Sequence, residues 1–343
     1  MSASELSKTH YAELITASNE HLMGGELPWL TSVREKAGEA FAGEGFPTPR
    51  EEEWRYTNVS ALEKNQFSLA TQAGTVDADF LKQVLLDDCH HLVFVDGFYQ
   101  AELSSLADLP EGVIVSALSD GLAAHEELIK SLLDSVIEAP DRGFINFNTA
   151  LFSDGALIAI DENTNVDKPI QLAFIASSAA ALSLSNVRNL IVAKAGSKAS
   201  IIETFDACES NCYLSNVVSE VVVEPNANLQ HSRVQEESSA AYHIAGVYTR
   251  LERNAIFAQY NYTFGASLSR AEIHANLGEA ADCRLDGLYV GQDRQHMDNH
   301  TRVNHAQPHA ISNESYKGVL ADRSRGVFQG RIIVAEDAQK TDA

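Results

Sequence analysis

A chain of 343 residues with 45% hydrophobic content can fill a complete core and is no disordered polymer. It carries 48 acidic against 25 basic residues, a net charge of −23. Residues 1–150 hold 25 of those acids against 9 bases. Such a surface repels phosphate backbones and anionic lipids, which excludes nucleic acid and the membrane surface as partners.

The first twenty residues lack a basic segment followed by an apolar one, so they are no secretion signal. Tyr11, Leu14, Ile15, Ser18 and Leu22 trace one helical face. Ser32 with Glu35 makes a capping box ahead of a helix whose apolar side is Val33, Ala37, Ala40 and Phe41, ended by Pro47 and Pro49. Phe80, Leu81, Val84 and Leu85 mark another helix. Leu92 to Val95, then Asp96-Gly97 and Phe98-Tyr99, spell strand, turn and strand. Ile129, Leu132, Leu133, Val136 and Ile137 stripe a further helix that stops before Pro140.

Past Asp141-Arg142-Gly143 no helical period survives. Ile170 to Ser185 is too short for a membrane span and reads as β-structure. Apolar runs recur, broken at Gly196, Asn226, Asn254, Gly278 and Arg323. The first four lie 30, 28 and 24 residues apart, and the last gap of 45 holds a histidine-rich segment. Glycine and asparagine tolerate the left-handed backbone of tight corners. Repeats of this length without helix predict a solenoid, here a parallel β-helix. The alternative is a large antiparallel sandwich. The expected fold is therefore mainly β: an amino-terminal helical and mixed domain over 1–142, then a β-helix core over 143–343. Val192, Val222, Phe257, Val319 and Phe328 are the expected inward side chains.

Candidate chemistry is sparse. Cys89, Cys208, Cys212 and Cys283 form no disulfide framework, which points to a reducing, cytoplasmic compartment. Cys208 and Cys212 make a C-x3-C pair on an expected loop, without a second pair at ligand spacing; Cys283 falls in an expected strand. Imidazole ligates iron and zinc, so His296, His300, His305 and His309 are candidate metal contacts. His296 and His300, or His305 and His309, can share a strand face. The competing reading has all four lining a corner and a coil edge, bonded to backbone or to Asp298, Asn299 and Asn304. Trp54 and Tyr56 read as core or domain-docking anchors, and Arg331 and Lys340 as partners of nearby acids or coil-edge caps. No nucleophile–base set or zinc motif occurs.

Several ordered blocks resemble the SufB/SufD family of iron–sulfur cluster assembly proteins. They are PTPREEEWRYTNVSAL (Pro47 to Leu62), LVFVDGFYQAELSSL (Leu92 to Leu106), FINFNTALFSDGALIAI (Phe144 to Ile160), DKPIQLAFI, DNHTRV, PHAISNESYKGVL, RGVFQGRI and AQKTDA. The W-R-Y-T block and the layout favour the SufD side over its paralogue SufB. The resemblance implies a right-handed β-helix and a scaffold subunit of the SUF system, not an enzyme. It implies a SufBCD complex: pairing with SufB through the β-helices, and recruitment of the SufC ATPase through a carboxy-terminal region. It further implies that this chain alone holds no stable cofactor, while iron or a nascent cluster passes through the complex. The cysteine and histidine implicated late in the SufD core, and the SufC-docking region, belong to family segments beyond Ala343, so the expectation is a chain that lacks them. The reading from another class is a β-helix carbohydrate-active enzyme, with acids from Asp282, Asp286, Asp293 and Asp298.

Overall fold

The computed structural model describes residues 3–18, 22–139 and 142–342. Its strands alternate between two sheets. The first sheet stacks Ala156–Ile160, Ser183–Ala193, Leu214–Val223, Tyr242–Leu251, Leu268–Leu277, His296–His305 and Arg325–Val334. The second stacks His90–Val95, Ile170–Ala176, Lys198–Ala207, Asn228–Gln235, Ile256–Thr263, Asp282–Gly291 and Ile311–Leu320. Neighbouring strands within each of these stacks run parallel. The chain is a β-solenoid of about six turns behind a mixed helical amino-terminal region. Parallel pairing removes the sandwich alternative.

One corner of every coil is a left-handed residue: Gly196, Asn226, Asn254, Ala280, His309 and Lys340 in succession. Each corner ties to the next, with Gly196 N–H donating to Pro225 O (3.0 Å), Asn226 to Arg253 O (3.0 Å), Asn254 to Glu279 O (2.9 Å), Ala280 to Pro308 O (3.1 Å) and His309 to Gln339 O (3.2 Å). Asn254 also donates to the side chain of Asn226 at 3.2 Å. Two turn assignments therefore move. At the fourth corner the left-handed residue is Ala280; Gly278 is instead needed for space, because a Cβ there would sit 2.7 Å from Leu251 O. Arg323 lies beside left-handed Asp322 at the opposite corner. The apparent gap of 45 came from counting across two different corners; the missing corner is His309.

The inward set also needs correction. Phe257 fills the lumen as expected. Val192 and Val222 are buried but point outward, beneath Leu118, Leu122 and Ile129. Val319 is 57% exposed. Phe328 stacks on Tyr316, with ring centroids 4.7 Å apart, yet is 43% exposed on the last coil.

The amino-terminal elements pack on the outside of the solenoid. The Pro28–Glu44 helix starts at its proline, so Ser32 lies inside it and caps nothing. Asp77 does cap the Ala78–Val84 helix, accepting from Asp79 N. Asp96 and Gly97 take the two positive φ values that a tight hairpin requires. The Glu126–Leu132 helix ends earlier than its apolar stripe. The Glu220 carboxylate takes the N–H of Asp134 (2.7 Å) and of Val136 (3.4 Å), so those groups leave the helix ladder. The expected stop at Pro140 lies outside the described residues. Gly143–Leu151 is a helix where only strands were expected. All nine of its residues are buried, so it has no polar face to generate a helical period. Among the described residues no helix is long and apolar enough to cross a membrane.

Candidate functional site at the seam between the Trp54 strap and the solenoid

The segment carrying the short Glu52–Trp54 helix crosses the outer face of the first sheet as a strap. Its anchor is Trp54, which is 2% exposed and lies with its ring 3.7 Å from the Arg270 guanidinium. Tyr56, the other expected anchor, is 57% exposed and anchors nothing. Arg270 projects outward from Leu268–Leu277 and is itself fully buried. It donates to Asp298 Oδ2 (2.5 Å), to Glu272 Oε1 (2.5 and 2.9 Å) and to the strap carbonyl of Glu53 (3.0 Å).

Two of the four candidate histidines belong here. Alternation along His296–His305 turns His296, Asp298 and His300 to one outward face. His300 Nε2 lies 2.8 Å from Asp298 Oδ1, and its Nδ1 lies 3.5 Å from Glu53 Oε2. Thr57 of the strap donates to Asp298 Oδ2 (2.5 Å) and sits 2.8 Å from His296 Nε2. Arg331 pairs with Glu53 (3.0 Å) and Glu52 (3.6 Å), as expected of it. His274 and Glu272, 3.7 Å apart, join Glu53 and His300 around a cavity of about 20 Å³, room for about one water.

Burial would raise the Asp298 carboxyl, but the hydrogen bond from His300 and the charge of Arg270 outweigh it and hold it at about 2. Burial likewise opposes ionisation of Glu272, and Arg270 again wins, leaving it below its ordinary value. Burial pushes His274 and His296 down, against the pull of Glu272 and Asp298 respectively. The buried Arg270 guanidinium pairs with both Asp298 and Glu272, the carboxylates of this seam. Among the described residues no group of three or more histidine, cysteine or acidic side chains is arranged to hold a metal ion.

The other two histidines lie elsewhere. His305 is inside the lumen, 2.9 Å from Ser312 Oγ. His309 is the left-handed corner residue and shares no face with it. Lys340 occupies the next corner. Cys208 packs against the cluster around Val93 and Ala173, Cys212 against the one around Leu184 and Leu214, so the C-x3-C pair serves two separate environments. Cys283 is buried in the lumen. Burial pushes all four thiols up, which opposes the thiolate that cluster ligation needs. The acids of the carbohydrate-enzyme reading are scattered. Asp286 projects from the second sheet beside Arg284, Asp298 lies beneath Arg270 on the first, and Asp293 is a left-handed turn residue.

A second polar constellation, unforeseen from sequence, fills the lumen. Glu203 accepts from Ser219 Oγ (2.6 Å), Asn189 Nδ2 (3.1 Å) and Arg233 Nε (3.1 Å), and lies 3.2 Å from His231 Nε2. Arg233 reaches His243 Nε2 (2.9 Å), whose Nδ1 meets Glu237 Oε2 at 2.6 Å. His231 Nδ1 lies 2.6 Å from Gln259 Oε1. Burial opposes ionisation of Glu203, yet His231 and Arg233 bring it to about 2.

Two family profiles match in tandem. The SufBD protein N-terminal region covers residues 5–172, and the SufBD core domain of SUF-system FeS cluster assembly covers 174–343. The chain is 29% identical to an iron–sulfur cluster assembly SufBD family protein of Synechocystis, over 98% of this chain and 77% of that one. It is 27% identical to the chloroplastic protein ABCI7 of Arabidopsis thaliana, over 97% and 71%. It is also 27% identical to the iron–sulfur cluster assembly protein SufD of Escherichia coli, over 87% and 68%.

Proposed function

The chain belongs to the SufBD family of SUF iron–sulfur cluster assembly proteins, and from that membership we propose that it is a SufD-type scaffold subunit, a cytoplasmic chain that positions partners and turns over no substrate. The observation that carries this reading is the seam. Its acids and imidazoles, the groups best suited to acid–base work, hold Trp54, Thr57 and Glu53 against the solenoid through Arg270 and Arg331. They build shape, and shape is what a scaffold supplies. The likeness to the Escherichia coli SufD protein supports the SufD side of the family.

In this reading the chain pairs with a SufB-type subunit, and a SufC-type ATPase joins the complex. Iron or a nascent cluster is cargo. His296 and His300 are the histidines we keep as candidate contacts for it, since they share an outward face, whereas His305 is enclosed and His309 shapes a corner. The test is co-expression with SufB-, SufC- and SufD-type proteins, purification through a tag on this chain, and assays of ATP hydrolysis and polysaccharide cleavage on the chain alone. Retention of the SufB-type partner with no activity of the isolated chain is expected. Retention of a SufD-type partner instead would move the chain to the SufB role. Hydrolysis or cleavage that survives exhaustive purification would end the scaffold reading.

A further inference from the structure

The two sheets differ in what covers them. The first lies beneath the Pro28–Glu44 and Gly143–Leu151 helices and the strap. Among the described residues the second is covered over its first strands, where Phe80, Leu81 and Val84 pack on Val93, Val95, Ala173 and Ile175. From Asn228–Gln235 onward its outward side chains include Val234, Tyr260, Tyr262, Leu288 and Val290, all only partly buried. None of the five belongs to a buried cluster of the described residues. The pairing register lines them up: Thr204, Val234, Tyr262 and Leu288 form one row, with Ile202, Ser232 and Tyr260 beside it.

The basic side chains of this face lie on its later coils, where Arg284 pairs with Asp286 at 2.6 Å and Lys317 follows Leu288 in the row, whereas the corner after Lys198–Ala207 and Asn228–Gln235 is acidic. Asp206 and Glu236 follow Thr204 and Val234 by two positions on adjacent strands, so two carboxylates sit one strand apart. Like charges in that arrangement repel. Burial, then Glu236 and Glu237, push Asp206 up to about 7. Glu237 turns to His243 at 2.6 Å and feels the charge of Arg233, but among the described residues neither Asp206 nor Glu236 has an ion-pair partner. The other groups at this corner are Cys208, Tyr213, Asp96 and Glu209, none of them basic. The face thus has an apolar, tyrosine-containing centre and, at one corner, two carboxylates, Asp206 and Glu236, that no ion pair of the described residues reaches.

We propose that this face docks a short segment of a partner protein in which a lysine or arginine stands beside apolar side chains, the cation meeting Asp206 and Glu236 and the apolar groups covering Tyr262 and Leu288. Charge selects the occupant, because the acidic corner repels anionic lipid and nucleic acid. Size selects it too. Four strands at about 4.8 Å and about five residues at 3.3 Å give roughly 320 Å². A stable dimer needs about 800 Å² from each partner, so a second copy is the poorer fit. This inference goes beyond the SufD-type reading and stands without it.

The probe is a fluorescent, acetylated and amidated octapeptide with two arginines set among leucine and valine, beside a counterpart with glutamate for arginine. Fluorescence anisotropy at 150 mM salt reads binding to the full chain. The arginine peptide is expected to bind at least tenfold more tightly than the glutamate peptide. Tyr262→Ser, and separately Asp206→Asn with Glu236→Gln, should each weaken it fivefold or more. Binding at pH 7 should release protons from the native chain and fewer from Asp206→Asn. The acidic pair variant removes a repulsion, so it keeps the test alive if Tyr262→Ser folds poorly. Equal affinity for both peptides would overturn the proposal. So would binding indifferent to both variants, which is what general attraction to a chain of net charge −23 gives. Concentration-dependent dimerisation abolished by Tyr262→Ser would assign the face to a second copy and overturn the choice of partner.

Discussion

Asp206→Asn should stabilise the protein, and by an amount that depends on pH. Burial and the neighbouring carboxylates of Glu236 and Glu237 raise Asp206 from 3.8 to about 7. An acid whose folded pKa lies above its unfolded one is penalised whenever it must ionise. The penalty is absent below about pH 4, grows as pH rises from about 4 to about 7, and is complete above that. About three pKa units at about 1.4 kcal/mol each give about 4 kcal/mol, which partial solvent access trims to about 2–4 kcal/mol. Asparagine keeps the shape and an acceptor for Thr204 but has no charge to desolvate. Urea unfolding of both proteins, followed through the two tryptophans, measures the difference at pH 5 and pH 8. The variant's advantage should be about 2 kcal/mol larger at pH 8 than at pH 5. Parallel stability curves for the two proteins across that range would refute the reasoning.

Glu203→Gln strands Arg233 and His231 in the lumen and should cost about 3–5 kcal/mol in chemical denaturation, with Glu203→Leu/Arg233→Met losing less than the single change. Trp54→Ala removes the cover of Arg270 and the stack on Phe144; a loss of about 3–5 kcal/mol and earlier tryptic cleavage after Arg50 or Arg55 are expected. Asp298 is held at about 2, so Asp298→Asn should cost about 2 kcal/mol at pH 7. That cost should shrink in thermal melts as pH falls from about 4 to about 2, where the native carboxylate is protonated too. His309→Gly relieves a left-handed non-glycine residue and should raise stability by about 0.5–1 kcal/mol in urea titrations, without altering iron binding.

The corners were legible because they depend on single residues. Asn226 and Asn254 announce a left-handed backbone in one letter, whereas Ala280 and His309 adopt it without any local preference. The spacing, not the residue type, was the usable signal for those two. Inward and outward were harder. Val192 and Val222 are as apolar as any lumen residue because helices cover the outer face there. In Asn228–Gln235 the usual logic is reversed: His231, Arg233 and Gln235 turn in with Leu229, while Ser232 and Val234 turn out. Nothing local distinguishes that strand from one whose charges face water. The seam was half legible. His296 and His300 were paired correctly by strand alternation, but Thr57, which binds the same carboxylate, stands 241 residues away from Asp298. Arg270 carries no local signal, because its partners come from three separate segments.

Coils of similar length invite a particular error, in which a strand stacks on the next coil but one and the chain still closes into a solenoid. Apolar lumens tolerate such a slip, because one valine packs much like another. Here Glu203 lies in register with Arg233, and Arg233 in register with Asn261. Skipping a coil would set Glu203 against Asn261 and leave a carboxylate and a guanidinium sealed away from each other and from water. That mismatch costs several kcal/mol, a large part of the stability of an ordinary domain. The polar lumen therefore works as a key that favours one stacking order, in which the coil following Lys198–Ala207 in sequence, and none further along, matches it.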